Sequence, residues 1–435
     1  MTDGDAAPAS KKTPLAIIFV TVFIDLLGFG IVLPLLPRYA DAFGASRLEL
    51  GLLMASFSAM QLVFAPIWGG ISDRIGRRPV LLIGLAGSTI SYGAFGYVTT
   101  LGATGTILGL AVLPWLFMTR IGAGIAGATI PTAQAYIADC TSRENRTKGM
   151  ALIGAAFGIG FTFGPLIGAA FVSDEAGGPP SPKAGYVAAI LSGCAFLWAL
   201  AKLPESLTEG TSEHAGKFHL RHIGAAFGSA AIAMMMLTIF VTTCAFAQFE
   251  STLSLLTDAL GESDRDNFII FAYVGLVLTI SQGGLVRQLS TRMAPQKLAL
   301  GGTAVMIVGL LLIGFAGMSG SVTQLYVVLP IAVVGFSAVT PSLQAMLSLK
   351  TAADKQGEVL GLGQSMSALA RIAGPVIGML LLGEDKEHVE WPYWCGAAMM
   401  GVGLLLVALL RDKTSDSSAT TEKRPIQTDA SAETE

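Results

Sequence analysis

Gly69-Gly70-Ile71-Ser72-Asp73-Arg74-Ile75-Gly76-Arg77-Arg78-Pro79 is a short polar island between two apolar runs, 50–70 and 79–99. Its glycines permit a tight turn and a close backbone approach. Asp73 can cap the helix that follows or pair with arginines across an interface. Three basic residues beside apolar spans would by themselves mark a cytoplasmic loop. A topology marker, however, does not require glycines, an acid and paired arginines in this order. Gly69, Asp73, Arg74, Gly76, Arg77 and Arg78 are therefore read as a cytoplasmic gate, shut in one state and released in another.

Outward from this loop the chain stays apolar. Of 435 residues 52% are hydrophobic and only 13% charged, against about 25% charged in ordinary soluble proteins. Mean hydropathy is +0.65. A typical soluble enzyme is excluded, and a formal charge of −3 gives no footprint for nucleic acid. Four scattered cysteines, Cys140, Cys194, Cys244 and Cys395, have no metal-ligand spacing and read as packing residues. A spanning helix needs about 20 mostly apolar residues. Twelve such stretches fit, near 14–36, 50–70, 79–99, 110–137, 148–172, 185–203, 228–256, 267–288, 297–318, 323–348, 358–382 and 392–410. The fold class is an all-α membrane protein. With both termini in the cytoplasm, 20 of the 27 basic residues fall on that side and five on the other, which fixes the expected orientation.

The twelve spans divide into six and six. The longest polar internal stretch, 205–227, separates a bundle at 14–204 from one at 228–410, and disordered tails are expected at 1–13 and 411–435. A shift of 210 residues places Pro131 on Pro341, Gln134 on Gln344 and Gly164-Pro165 on Gly374-Pro375. A shift of 214 places Gly69-Gly70 on Gly283-Gly284. Two parallel six-helix repeats are the layout of alternating-access transporters, whose site lies between the halves near the midplane.

Charged residues inside spans are the next signal. Asp25 sits mid-span, where a carboxylate costs about 2.5–3.5 kcal/mol on insertion scales. It can bind a proton or a substrate, or form a structural hydrogen bond to a neighbouring helix. Arg120, in the middle of the fourth span, must face a partner or a wet cavity. Approach and withdrawal of Arg120 from Asp25 would link protonation to conformation; a fixed structural pair is the alternative. Glu250 and Arg371 are also intramembrane and can pair, or Glu250 can take a cationic substrate or a second proton. Gln61, Gln134, Gln248 and Gln344, with Phe57, Tyr136, Phe161 and Arg371, suit a mostly apolar cavity with a few polar handles; facing lipid or packing between helices is at least an equal reading for each taken singly. Asp139, with Arg143, Arg146 and Lys148, can form part of the inner gate. No nucleotide-phosphate loop, nucleophile elbow or cluster of His, Glu and Cys appears, so neither ATP drive nor catalysis is indicated.

The Gly69–Pro79 loop resembles the signature loop of the major facilitator superfamily. The rest of the chain resembles its twelve-helix drug/proton antiporter branch, and most closely the tetracycline/proton antiporters. The residues that carry this are Asp25-Leu-Leu-Gly-Phe-Gly-Ile-Val-Leu-Pro34-Leu-Leu-Pro37, Arg120-Ile-Gly-Ala-Gly124 running on to Ala135-Tyr136-Ile-Ala-Asp139, and Gly158-Ile-Gly-Phe-Thr-Phe-Gly164-Pro165-Leu-Ile-Gly168. Leu203-Pro204-Glu205-Ser206 and Pro341-Ser-Leu-Gln344 complete the set. The resemblance implies proton coupling at Asp25, a proton-relay role for Arg120, and an antiporter hinge at Gly158, Gly164, Pro165 and Gly168, with Gly374 and Pro375 as its repeat copy. It implies an exporter of amphipathic drugs, monomeric in a bacterial cytoplasmic membrane, with no cofactor beyond the proton as coupling ion. Rival readings are a proton-coupled importer of a small organic solute and a non-transporting membrane receptor.

Overall fold

The computed structural model describes residues 12–141, 146–172, 180–207, 230–350, 356–384 and 388–410. Residues 1–11 of the expected N-terminal tail, the C-terminal tail, most of the 205–227 linker and Arg143 lie outside these residues, as do the side chains of Arg146 and Lys148; Lys12 and Thr13, expected in the tail, begin the first helix instead. The first half holds α1 (Lys12–Val32), α2 (Leu36–Ala42), α3 (Arg47–Ile75), α4 (Arg77–Thr100), α5 (Val112–Gly127), α6 (Ile130–Cys140), α7 (Arg146–Ala169) and α8 (Lys183–Lys202). A two-stranded ribbon, β1 (Thr106–Ile107) and β2 (Leu110–Ala111), precedes α5. The second half holds α9 (Ala230–Ala259), α10 (Asp264–Ile280), a π-helical stretch (Ser281–Val286), α11 (Arg287–Ser290), α12 (Pro295–Ser319), α13 (Val322–Leu349), α14 (Gln356–Leu382) and α15 (Trp391–Leu409). Among the described residues eleven helical segments are long and apolar enough to cross a membrane. The remaining expected span is α7, whose described apolar stretch is Gly158–Ala169.

The first expected span, 14–36, breaks near its end and is followed by a short second helix, and the fourth, 110–137, is split in two, both for one reason. Proline lacks the N–H that would bond the carbonyl four residues back, and its ring clashes there. Pro34 ends α1, the chain turns through Leu33–Leu35, and Pro37 sits in the first turn of α2. Pro131 likewise parts α5 from α6. The carbonyl that Pro131 leaves free belongs to Gly127, and the Gln61 amide donates to it at 3.3 Å. Trp68 Nε1 donates to the neighbouring Ile125 carbonyl at 2.8 Å. Helix α3 thus caps a break in the fourth span. Its own start is set by a capping box between Ser46 and Glu49, and its end by Gly76 at φ 105°.

Three large apolar cores hold the bundle, with a small fourth one at Val286, Leu298 and Ala338. One, from Met235 to Leu410, lies wholly in the second half. Another, from Ile18 to Leu203, lies wholly in the first. The third crosses between them, joining Leu50, Leu53 and Phe95 to Leu255, Phe268 and Met379. Helix α7 packs across the halves on α10, and α14 packs on α3. Small residues set these approaches, as expected where lipid removes the hydrophobic drive between helices. A Cβ on Gly275 of α10 would fall 2.7 Å from the Phe161 carbonyl oxygen, the carbonyl that Pro165 frees. On the symmetry-related seam, a Cβ on Gly51 would fall 2.7 Å from the Val376 Cα.

The Gly275 contact is with backbone, which cannot move aside. Gly275→Ala is expected to lower thermal stability in detergent by about 1–3 kcal/mol. Gly401→Ala, in open space on α15, is expected to leave it unchanged or slightly higher. Equal melting of the two variants would contradict the seam.

Candidate functional site

Asp25 of α1 is half-buried and turned toward α4 and α8. The Ser192 hydroxyl donates to its Oδ1 at 3.3 Å, and the Ser88 hydroxyl is its second partner. Arg120 is 2% exposed, with Nε and Nη1 unpartnered. Its guanidinium lies 4.7 Å from the centroid of the Phe57 ring, a cation–π contact that offsets part of its desolvation. No ion pair joins Arg120 to Asp25 among the described residues, so the expected direct contact is absent in this state. Tyr92, 4% exposed, lies within electrostatic reach of both. Ser88, Ser192 and Tyr92 were not legible as site residues, because no spacing signals which hydroxyls three helices bring together.

An aromatic group lies beside this polar one. Phe29 meets Phe57 at 5.0 Å and Phe161 at 5.9 Å between ring centroids. In the second half Phe246 stacks on Phe336 at 3.5 Å. Glu250 is half-buried on α9, and Arg371, exposed on α14, is the cation whose charge reaches it. The two form no ion pair among the described residues. The glutamines disperse. Gln61 is spent on the Gly127 carbonyl, and Gln248 is fully buried with its amide donating to the Pro392 carbonyl at 2.7 Å. Tyr136 is also fully buried, its hydroxyl donating to the Pro204 carbonyl at 3.1 Å. These three expected cavity residues hold helices together instead. Gln134 is exposed and Gln344 half-buried.

The loop residues assemble within the first half. Arg77, 8% exposed, pairs with Asp73, donates from Nε to Asp139 at 3.3 Å and from Nη1 to Ser72 at 2.8 Å. Asp73 therefore pairs with an arginine and does not cap α4. That cap is Glu205, which accepts from the Arg77 and Arg78 backbone N–H groups at 2.9 and 3.0 Å. It also accepts from the Ser206 and Leu207 N–H groups. Burial works against its charge, but the four backbone donors together hold its carboxyl below the usual range. Arg74 is exposed, and nothing packs within 4 Å of where a Gly69 Cβ would be. In the sequence Glu205 reads only as part of the Leu203–Ser206 motif; its position just past a helix end is the one signal of a capping role.

At the opposite end two arginines, counted from sequence only as outer-loop residues, clamp the halves together. Arg38 of α2 is 7% exposed and donates to the Ser254 carbonyl at 3.2 Å, Thr257 Oγ1 at 2.9 Å, the Glu262 carbonyl at 3.0 Å and Asp264 at 3.1 Å. Ser254 and Asn267 in turn donate to the Pro34 carbonyl at 2.7 and 3.1 Å. Arg47 reaches the Gly383 carbonyl at 2.9 Å and Asp41 at 2.8 Å. This end is shut.

The sequence profile of the Major Facilitator Superfamily matches residues 18–375. The chain belongs to this superfamily. Among its relatives, the tetracycline resistance protein of class E from Escherichia coli is 31% identical over 90% of this chain and 92% of its own. Multidrug resistance protein 2 of Bacillus subtilis (strain 168) is 27% identical, covering 94% of this chain and 98% of that one. In structure the chain resembles the human organic anion transporter MFSD10 (TETRAN), with TM-score 0.66 and 23% identity over 92% of this chain and 99% of the other. It also resembles a D-xylose-proton symporter, with TM-score 0.70 and 20% identity over 92% and 98%. These likenesses show the major facilitator fold. The chain is a multi-pass membrane transporter of that superfamily.

The Glu205 cap makes a pH-dependent prediction. Its folded pKa lies below the ordinary value of 4.5, so the stability it contributes is complete above that pH and is lost as pH falls through the folded value. Glu205→Gln is expected to lower the thermal midpoint at pH 7, with the gap to wild type closing below about pH 4.5. A gap independent of pH would contradict the charged cap.

Proposed function

We propose that this transporter exports amphipathic drugs, tetracycline-like or of several classes, in exchange for protons. The observation that carries the reading is Asp25, a carboxylate in the middle of a span, held by two serine hydroxyls, with Tyr92 within electrostatic reach both of it and of the buried, under-partnered Arg120. Intramembrane ionisable groups cost free energy and mark ion pathways. The names of the relatives support drugs as substrates, and the aromatic walls at Phe29, Phe57 and Phe161 suit an apolar ligand with few polar handles. In the mechanism, a proton loads Asp25 from outside and a drug occupies the cavity between the halves. Protonation favours the state that releases drug outward, and loss of the proton inward resets the site. Glu250, within reach of Arg371, is a second proton or cation site. The Asp73–Arg77–Asp139 cluster closes the cytoplasmic end when the Arg38 end opens. The basic-residue asymmetry supports cytoplasmic termini and an inner-membrane location, and a monomer is the working assembly.

The energetics suffice. One proton crossing about 100 mV is worth about 2.3 kcal/mol, and one pH unit adds about 1.4 kcal/mol. Together they sustain a gradient of roughly several hundredfold. For a drug carrying one positive charge only the pH part remains.

The test uses proteoliposomes with an imposed pH gradient read by a quenched dye. Tetracycline, a cationic dye or a quinolone is expected to collapse the gradient with wild type and not with Asp25→Asn. Proton movement driven by sugars or organic acids in the symport direction, with none driven by the drugs, would overturn export in favour of import.

A further inference from the structure

The two repeats diverge at one place. The shift of 214 that aligns Gly69-Gly70 with Gly283-Gly284 also sets Trp68 on Gln282 and Asp73 on Arg287. In the first half Trp68 donates to the Ile125 carbonyl beside the broken fourth span, and Asp73 is paired with Arg77. In the second half a cavity of about 380 Å³ lies where the π-helical stretch, α11, α12 and α13 converge, lined by Gln282, Arg287, Ser290 and Ser342 among others. Ser342 is 3% exposed and its Oγ has no hydrogen-bond partner. Pro295, the first residue of α12, also lines the cavity and brings the positive end of a 25-residue helix to the same wall. That helix start has no side-chain cap.

The charge along this stretch of sequence has one sign. From residue 267 to residue 353 the chain contains no Asp or Glu. Arg287, Arg292 and Lys297 stand close together in that stretch, all exposed. A cation at a cavity lined by no acid among the described residues, an orphaned buried hydroxyl and an uncapped helix start select an anion. The remaining wall, including Val286 and Leu298, is apolar and would be poorly served by a small hydrated ion. The cavity sits where spans 8 and 9 meet at their shared end, which is headgroup depth in a bilayer. Basic pockets between spanning helices suit acidic headgroups, and π-helical turns are frequent at functional sites.

We infer that this cavity binds the phosphodiester headgroup of an anionic membrane lipid, with the phosphate against Arg287 and the Ser290 and Ser342 hydroxyls and the glycerol–acyl junction on Val286 and Leu298. The site is independent of the drug-export reading, since it rests on the bilayer alone. The N-terminal half lacks this arrangement: Trp68, at the position equivalent to Gln282, is tied to the Ile125 carbonyl, and Asp73, at the position equivalent to Arg287, is an acid paired with Arg77.

The experiment titrates the full-length protein in neutral detergent with phosphatidylglycerol, phosphatidylcholine or inorganic phosphate, following retained lipid by native mass spectrometry and the thermal midpoint in parallel. Phosphatidylglycerol is expected to be retained and to raise the midpoint of wild type. Arg287→Gln, and Gln282→Trp (which supplies the bulky side chain of the other repeat), are expected to fold and to bind it about fivefold or more weakly. Equal retention of the two lipids by wild type would overturn the proposal. So would undiminished phosphatidylglycerol binding in both variants, and so would a phosphate effect matching that of the lipid, which would make the site one for a soluble anion.

Discussion

Arg38 carries a full positive charge into a place only 7% exposed, and the groups that compensate it there come from α9, the turn that follows it and the start of α10. Burying a cation costs several kcal/mol unless its donors are met with good geometry. Here they are met by two carbonyls, a hydroxyl and a carboxylate. The same arithmetic makes the contact reversible. If the halves part at this end, water replaces the protein partners, and the charge is again satisfied. A state with Arg38 half-separated, neither wet nor bonded, is the costly one. The clamp therefore favours two discrete arrangements over a continuum, which is the requirement of alternating access.

The proton site proposed at Asp25 is not at that clamp, but one helix joins them. Asp25 lies on α1, whose next turns carry Phe29 of the aromatic wall and Gly30 against α7. The helix then ends at Pro34, whose carbonyl is held by Ser254 and Asn267 of the other half. Around it the cross-half seams are backbone contacts, Gly275 on Phe161 and Gly51 on Val376. Such seams slide or rotate but do not compress. In the proposed antiporter, a change in how Asp25 meets Ser88 and Ser192 moves α1 as a rigid rod and so reaches the clamp.

What was legible from sequence follows from what hydropathy and spacing encode. Twelve apolar runs, a central polar break and a motif repeated at one shift are one-dimensional facts, and the fold follows from them. Asp25 and Arg120 were visible because charge in a span is costly wherever it points. Rotation about a helix axis is not so encoded. Gln248 and Tyr136 are spaced like cavity residues, yet each turns into its own bundle to satisfy a backbone carbonyl. The splits at Pro34 and Pro131 depend on caps from distant helices, by Ser254, Asn267, Gln61 and Trp68, and a single-sequence reading keeps those spans whole. Arg38 and Arg47 looked like ordinary loop cations. Their retention on the side otherwise poor in basic residues was the one hint of a buried role.

The most direct test of this account is a pair of spin-label distances measured by double electron–electron resonance in proteoliposomes. One pair, at Leu48 and Met318, spans the halves at the Arg38 end; the other, at Ile75 and Leu349, spans them at the Arg77 end, and all four positions are exposed. With Arg38→Ala, the account predicts that the Leu48–Met318 distance lengthens while the Ile75–Leu349 distance shortens in the same molecules. Distance distributions for both pairs that match those of the unsubstituted protein would show that Arg38 does not hold this end shut, and would contradict the account.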